Sequence, residues 1–147
     1  MFELPVDDLA RAHAFYSEAL GWHIAPLPGL PTISLELAAK GKTLQRAIME
    51  AVPTAVGQDG FPVESGMITG ILTQRVPEIH NPAIILEVQD IEEALRRVER
   101  HGGKIVAGQQ AAGEFGFFAY VSDTEGNVLC LWRDVVPGVR IGVAAVV

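Results

Sequence analysis

LPVDDLARAHAFYSEALGWHI, from Leu4 to Ile24, and LEVQDIEEALRRVERHGGKIV, from Leu86 to Val106, are two versions of one pattern. At a constant offset of 82 residues, Leu4 matches Leu86, Val6 matches Val88, Asp8 matches Asp90 and Leu9 matches Ile91; Ala12/Ala94, Gly21/Gly103 and Ile24/Val106 follow. Each matched residue type has a structural job. Leu and Val alternate as they must on one face of a strand. An Asp just before an apolar-periodic run accepts the unpaired N–H groups of a helix's first turn. A Gly at the far end supplies the left-handed residue at which a helix stops. Two long copies of one strand–helix–strand unit imply a doubled module rather than a solenoid.

Working outward, the second helix carries Ile91, Ala94, Leu95 and Val98 at helical spacing, a single buried stripe. Its other face is charged, with Glu92–Arg96 and Glu93–Arg97 as i,i+4 pairs and Asp90 with Glu93 as a capping box. Strands are expected over 22–25, 44–51 and 67–73 in the first half, and over 104–107, 117–122 and 127–133 in the second, with Glu125-Gly126 in the last turn. Thr32–Leu37 reads as an additional strand, and AVPTAVGQDGFPVESG (51–66) as a loop. The fold class is therefore α+β: two β-α-β-β-β modules, about 1–76 and 82–133, joined at RVPEIHNP, with a tail over 134–147.

Composition bounds the rest. At 147 residues, 49% apolar and 20% charged, the chain can bury a single-domain core. A net charge of −7 argues against nucleic acid, whose phosphates need a basic surface. Cys130 is the single cysteine, so no intrachain disulfide forms. The longest apolar tract, IGVAAVV, is far short of the roughly 20 residues of a membrane helix, and no signal-peptide pattern is evident. The expectation is a soluble cytoplasmic protein with no membrane and no nucleic-acid partner.

Two motifs carry a resemblance. VDDLARAHAFYSEALGW resembles the opening signature of the vicinal-oxygen-chelate superfamily (glyoxalase, bleomycin-resistance and dioxygenase proteins), an Asp-initiated helix ending in FY-x-x-x-LG. FGFFAYVSDTEGNVLCLWR resembles its closing signature, a strand entering and leaving a D-P-x-G-N turn. The resemblance spans Phe2 to about Trp132. It implies a curved, incompletely closed eight-stranded mixed sheet with helices on the convex face, a ligand on the concave face, and a homodimer.

The resemblance also implies one divalent ion, held by His and Glu from the first and fourth strands of each module. The matching positions are Met1, Ala83, Cys130 and, by aligning Gly66 with Gly126, Gly70. None offers an imidazole or a carboxylate. His13 and His101 belong to the helices, His80 to the linker and His23 to a strand start. The reading is that the usual metal site is absent and that no cofactor is required.

Alternation assigns the faces. Phe2, Leu4 and Val6 should pack on the first helix, as should Ile84, Leu86 and Val88 in the second module. The concave set is then Glu3, Glu87, Phe118, Tyr120, Cys130 and Trp132, with Phe115 between the glycines of GEFG in a flap over the cavity or in an ordinary exposed loop. Aromatic walls with two carboxylates suit an apolar, planar or cationic molecule. The favoured function is non-catalytic small-molecule binding of the bleomycin-resistance type. The alternative is a lyase, isomerase or dioxygenase-like enzyme related to lactoylglutathione lyase, either metal-dependent or with Glu3 or Glu87 as general base. A third reading is a structural or interaction role, with the tail VRIGVAAVV as a partner strand or dimer arm.

Overall fold

A computed structural model describes residues 1–39, 41–52 and 68–135. The first module contains β1 (Phe2–Val6), α1 (Leu9–Leu20), β2 (His23–Pro26), β3 (Thr32–Leu37), β4 (Lys42–Val52) and β5 (Gly70–Gln74). The second contains β6 (Ala83–Glu87), α2 (Ile91–Arg100), β7 (Lys104–Ala112), β8 (Gly116–Ser122) and β9 (Val128–Asp134). Most of the 51–66 loop and of the tail lies outside the described residues.

The helix starts follow from the sequence. The carboxylates of Asp8 and Asp90 accept the backbone N–H of Arg11 and Glu93, both at 2.9 Å. α1 stops at Gly21 in the left-handed conformation, but α2 stops differently. Its left-handed residue is Gly102, one position before the expected Gly103. Gly103 is needed for space: a Cβ there would lie 2.6 Å from Val98 Cγ1 and 2.7 Å from the Ser122 carbonyl. The charge pairs also differ. Glu93 bonds Arg96 at 3.0 Å and Arg100 at 3.1 Å, so it neither returns to cap Asp90 nor meets Arg97.

The sheet runs β2-β4-β5-β1-β6-β9-β8-β7, the curved eight-stranded path that the resemblance implies. β1 lies parallel to β5 and β6 parallel to β9, one arrangement repeated in each module. The modules join within the chain through a short antiparallel seam, Phe2↔Ile84 and Glu3↔Ala83, extended by Ile85 N–H donating to the Met1 carbonyl at 2.8 Å. A ninth strand, β3, has no counterpart in the second module and lies off this path, paired with β4.

Three apolar clusters follow from alternation. Under α1, Phe2, Leu4 and Val6 gather around buried Leu72 and Ala51, with Tyr16 and Trp22 stacked at 4.6 Å. Under α2, Ile91 and Leu95 meet Ala119, Val121 and Leu131. The third fills the concave side. Ile84 and Leu86 correct the expectation that they pack on a helix: they are 57% and 42% exposed. Their phase is convex, yet α2 packs mainly over β7, β8 and β9 rather than β6.

Candidate functional site

The concave face is built from strand residues of one phase. Glu3 on β1, Arg46 on β4, Thr73 on β5, and Tyr120 on β8 converge there, all buried. Glu3 Oε1 accepts from Arg46 Nη2 at 2.9 Å and from Thr73 Oγ1 at 2.8 Å; its Oε2 accepts from the Tyr120 hydroxyl at 2.7 Å. Arg46 also donates to the Gln74 carbonyl through Nε at 3.0 Å, to the Tyr120 oxygen through Nη1 at 3.1 Å, and to Thr73 Oγ1 at 2.9 Å. Two ions at 1% and 0% exposure are tolerable only because nearly every polar atom has a partner.

The electrostatics lock the protons. Burial, reinforced by the Glu3 carboxylate, pushes the Tyr120 hydroxyl well above the usual phenol range. Burial likewise raises the Cys130 thiol far above its ordinary value, again with Glu3 contributing. Burial alone would lower Arg46, but Tyr120 and Glu3 outweigh it and the guanidinium is held charged. With both Glu3 oxygens engaged and the thiol neutral, this cluster braces the sheet and presents no activated nucleophile.

A pH dependence follows. The folded state favours the protonated Tyr120 and Cys130, so their contribution is complete below the unfolded pKa values and disappears as pH rises toward the shifted ones. Urea midpoints should fall from about pH 8.5 upward. Cys130→Ala should remove the onset of that decline, and an unchanged onset in this variant would refute the assignment.

The expected site residues fall into two cross-strand rows. Ile85, Cys130 and Tyr120 are register partners on β6, β9 and β8; Glu87, Trp132, Phe118 and Gln110 continue the next row onto β7. Cys130, Tyr120, Phe118 and Trp132 are buried in one cluster, while Glu87 is exposed at its rim. Met1, Ile85, Glu87, Trp132 and Asp134 line a pocket of about 160 Å³. An adjoining groove of about 550 Å³ shares Glu87 and Asp134 and adds Val88, Gln89, Arg133 and Val135. The Trp132 indole N–H donates to Asp134 Oδ1 at 2.6 Å, which fixes the ring as a wall.

Phe115 is tied by its backbone on both sides. Its N–H donates to the Ala112 carbonyl and its own carbonyl accepts from Val135 N–H, both at 3.1 Å, and its ring packs on the concave cluster. Four residues of this face have no place in the sequence-derived set: Arg46, Thr73, Gln110 and Asp134. Arg46 carries a signal, since it stands in apolar phase between Leu44 and Ile48 on a strand. Half-buried Glu50, opposite Ile71, was also missed; burial raises its carboxyl above the ordinary range.

The register corrects one metal position. Ile85 faces Cys130, and its repeat equivalent Glu3 faces Ile71, so the first-module counterpart of Cys130 is Ile71 rather than Gly70. The four positions are thus Met1, Ala83, Ile71 and Cys130, which do not fit a divalent ion. His80 Nδ1 lies 2.8 Å from the Pro77 carbonyl, within the linker. Among the described residues no three His, Cys, Asp or Glu side chains gather as a metal-binding group.

The family profile of the Glyoxalase/Bleomycin resistance protein/Dioxygenase superfamily matches residues 1–131. The chain belongs to this superfamily. A superfamily member from Vibrio splendidus 12B01 superposes with a TM-score of 0.53 at 14% identity, covering 91% of this chain and 97% of that one. Hypothetical protein BH1468 from Bacillus halodurans C-125 superposes at 0.51, also at 14% identity, with 92% of each chain covered. These likenesses establish the glyoxalase fold, not the chemistry on it. No curated protein is similar enough to the chain to count as a relative. Among the described residues, no helix is long and apolar enough to cross a membrane.

Proposed function

We propose that this superfamily member binds a small apolar, planar and cationic molecule at its concave face, without the superfamily's metal and without catalysing a reaction on it. The observation that carries this reading is the pocket at the end of the Glu87–Trp132–Phe118 row, where one rigid indole wall stands between two carboxylates. A cation over an aromatic face gains about 0.5–2 kcal/mol, more when water is excluded. Glu87 and Asp134 add charge of the right sign, and the net charge of −7 favours the approach of cations. The substitutions at the metal positions support the non-catalytic part, because Lewis-acid chemistry on vicinal oxygens needs an ion that these side chains cannot hold.

The test is a thermal-shift and calorimetric titration with thioflavin T, a planar monocation, beside methylglyoxal, a small dicarbonyl. Thioflavin T at about 100 times its Kd should stabilise the fold by about 2.7 kcal/mol. Glu87→Gln should weaken it by about five- to tenfold, while methylglyoxal should be inert. No shift with the dye sinks the binding reading. A divalent ion retained at one per chain, and lost on replacing His80 or Glu87, sinks its metal-free part.

A further inference from the structure

The concave chamber is roofed by a strand that the second module lacks. β3 carries Ile33, Leu35 and Leu37 inward and Ser34 and Glu36 outward. Leu35 and Leu37 are buried in the same cluster as Phe118, Tyr120, Cys130 and Trp132. The two long edges of β3 are held very differently. Along one edge it pairs with β4 in unbroken register from Thr32↔Ala47 to Leu37↔Lys42. Along the other it meets β7, whose pairing with β8 shifts register between Ile105 and Ala107 and again between Ala107 and Gln110. A twice-irregular strand offers no regular ladder.

What crosses that gap is a clasp. The Gln110 side-chain amide takes the place of a strand backbone: its Oε1 accepts from Glu36 N–H at 2.7 Å, and its Nε2 donates to the Glu36 carbonyl at 2.8 Å. One backbone bond, Ala38 N–H to the Val106 carbonyl at 3.0 Å, accompanies it. Both Gln110 bonds to Glu36 are solvent-exposed, so water can replace them at little cost. Gly41, at positive φ, lies in the turn from β3 into β4, at the end of the hairpin nearest the clasp.

We propose that the far end of β3 is a releasable strap: breaking the Gln110 clasp swings Leu35–Leu37, with their β4 partners Lys42–Leu44, off β7, leaves Arg46 in its network, and admits the ligand to the aromatic cluster beneath. This rests on the concave-face reading of function and supplies its gate. The rim pocket at Glu87 and Asp134 takes the cationic end of the guest, and opening lets its apolar planar body displace the strap's leucines from the cluster of Phe118 and Trp132.

The lone cysteine reports opening without any ligand. Cys130 lies buried beneath the strap, so N-ethylmaleimide reaches it only when the chamber opens. Gln110→Leu removes both amide bonds to Glu36, together with the Nε2 bond to the Gly108 carbonyl within β7 at 3.1 Å, and nearly keeps the side chain's size. In this variant Cys130 should be alkylated about tenfold faster, the Glu36 and Ala38 amides should exchange hydrogen faster, and the Ala119 amide between β8 and β9 should not change. In the wild type, alkylation below the unfolding transition should depend only weakly on urea. Equal alkylation rates in the two proteins, or a urea dependence as steep as global unfolding, overturn the strap. Thioflavin T association with Gln110→Leu should accelerate by a similar factor, and an unchanged rate overturns the gating. Failure of the dye to bind wild type removes the functional reading instead, and the strap is then judged on Cys130 alone.

Discussion

Arg46→Met should cost the fold about 3–5 kcal/mol, the usual penalty for removing one partner of a buried ion pair. The substitution is close in volume, so lost packing is a minor part. What remains is Glu3, fully buried, with Thr73 and Tyr120 as its donors and no positive charge beside it. The Gln74 carbonyl loses its guanidinium donor as well. Against a total stability of about 5–15 kcal/mol for a domain of this kind, that is a large fraction. The informative partner is Glu3→Gln. Combined with Arg46→Met it removes the orphaned charge while its amide oxygen accepts from one of the Thr73 and Tyr120 hydroxyls and its NH2 donates to the other, and should restore more than half of the loss. Urea unfolding of the two single variants and the double variant measures this. A double variant no more stable than Arg46→Met, or a single variant within about 1 kcal/mol of wild type, would show that the pair is not what braces the sheet.

Trp132→Ala should be comparably severe, at about 3–5 kcal/mol, because it opens a large void in a packed cluster. The indole covers the backbone of Gly116, where a Cβ would lie 2.5 Å from Trp132 Cζ2. It also supplies a hydrogen-bond donor to Asp134, itself nearly buried. For a chain of this length the melting point should drop by roughly 10 °C. Trp132→Phe separates the two roles. It keeps most of the packing and loses the bond to Asp134, so it should stay folded while thioflavin T affinity falls. A Trp132→Ala protein that melts within a degree or two of wild type would place the indole outside the core.

The strands' two-residue period explains why faces were legible. Glu3, Phe118, Tyr120, Cys130 and Trp132 lie on the concave side because alternation along their strands puts them there. The repeat made the caps at Asp8 and Asp90 legible too, since a cap is a local hydrogen bond three residues long. Coverage is another matter. Whether Ile84 and Leu86 are covered depends on where α2 crosses the sheet, which no property of β6 encodes. Arg46 could be suspected from its apolar phase, but its partners are 43 residues away at Glu3 and 74 away at Tyr120. The strap was legible as a strand and not as a roof, because its clasp is one amide side chain meeting a backbone 74 residues distant. The metal position in β5 was misread by one residue, since the turn before it gave no register and only pairing with β1 supplies one.

The buried ion pair also constrains the order of assembly. Glu3, Arg46, Thr73 and Tyr120 come from four strands, and the bond from Tyr120 to Glu3 closes a separation of 117 residues. The network cannot form while either module is undocked, and a one-residue slip of β1 would turn the Glu3 carboxylate onto the apolar underside of α1. Mispaired intermediates therefore carry an unmatched ion in a dry interior and are disfavoured relative to the native pairing. Such long-range closure belongs to slowly folding topologies. The cluster at the centre of the sheet thus acts as a register check, completed only when both halves of the chain are in place.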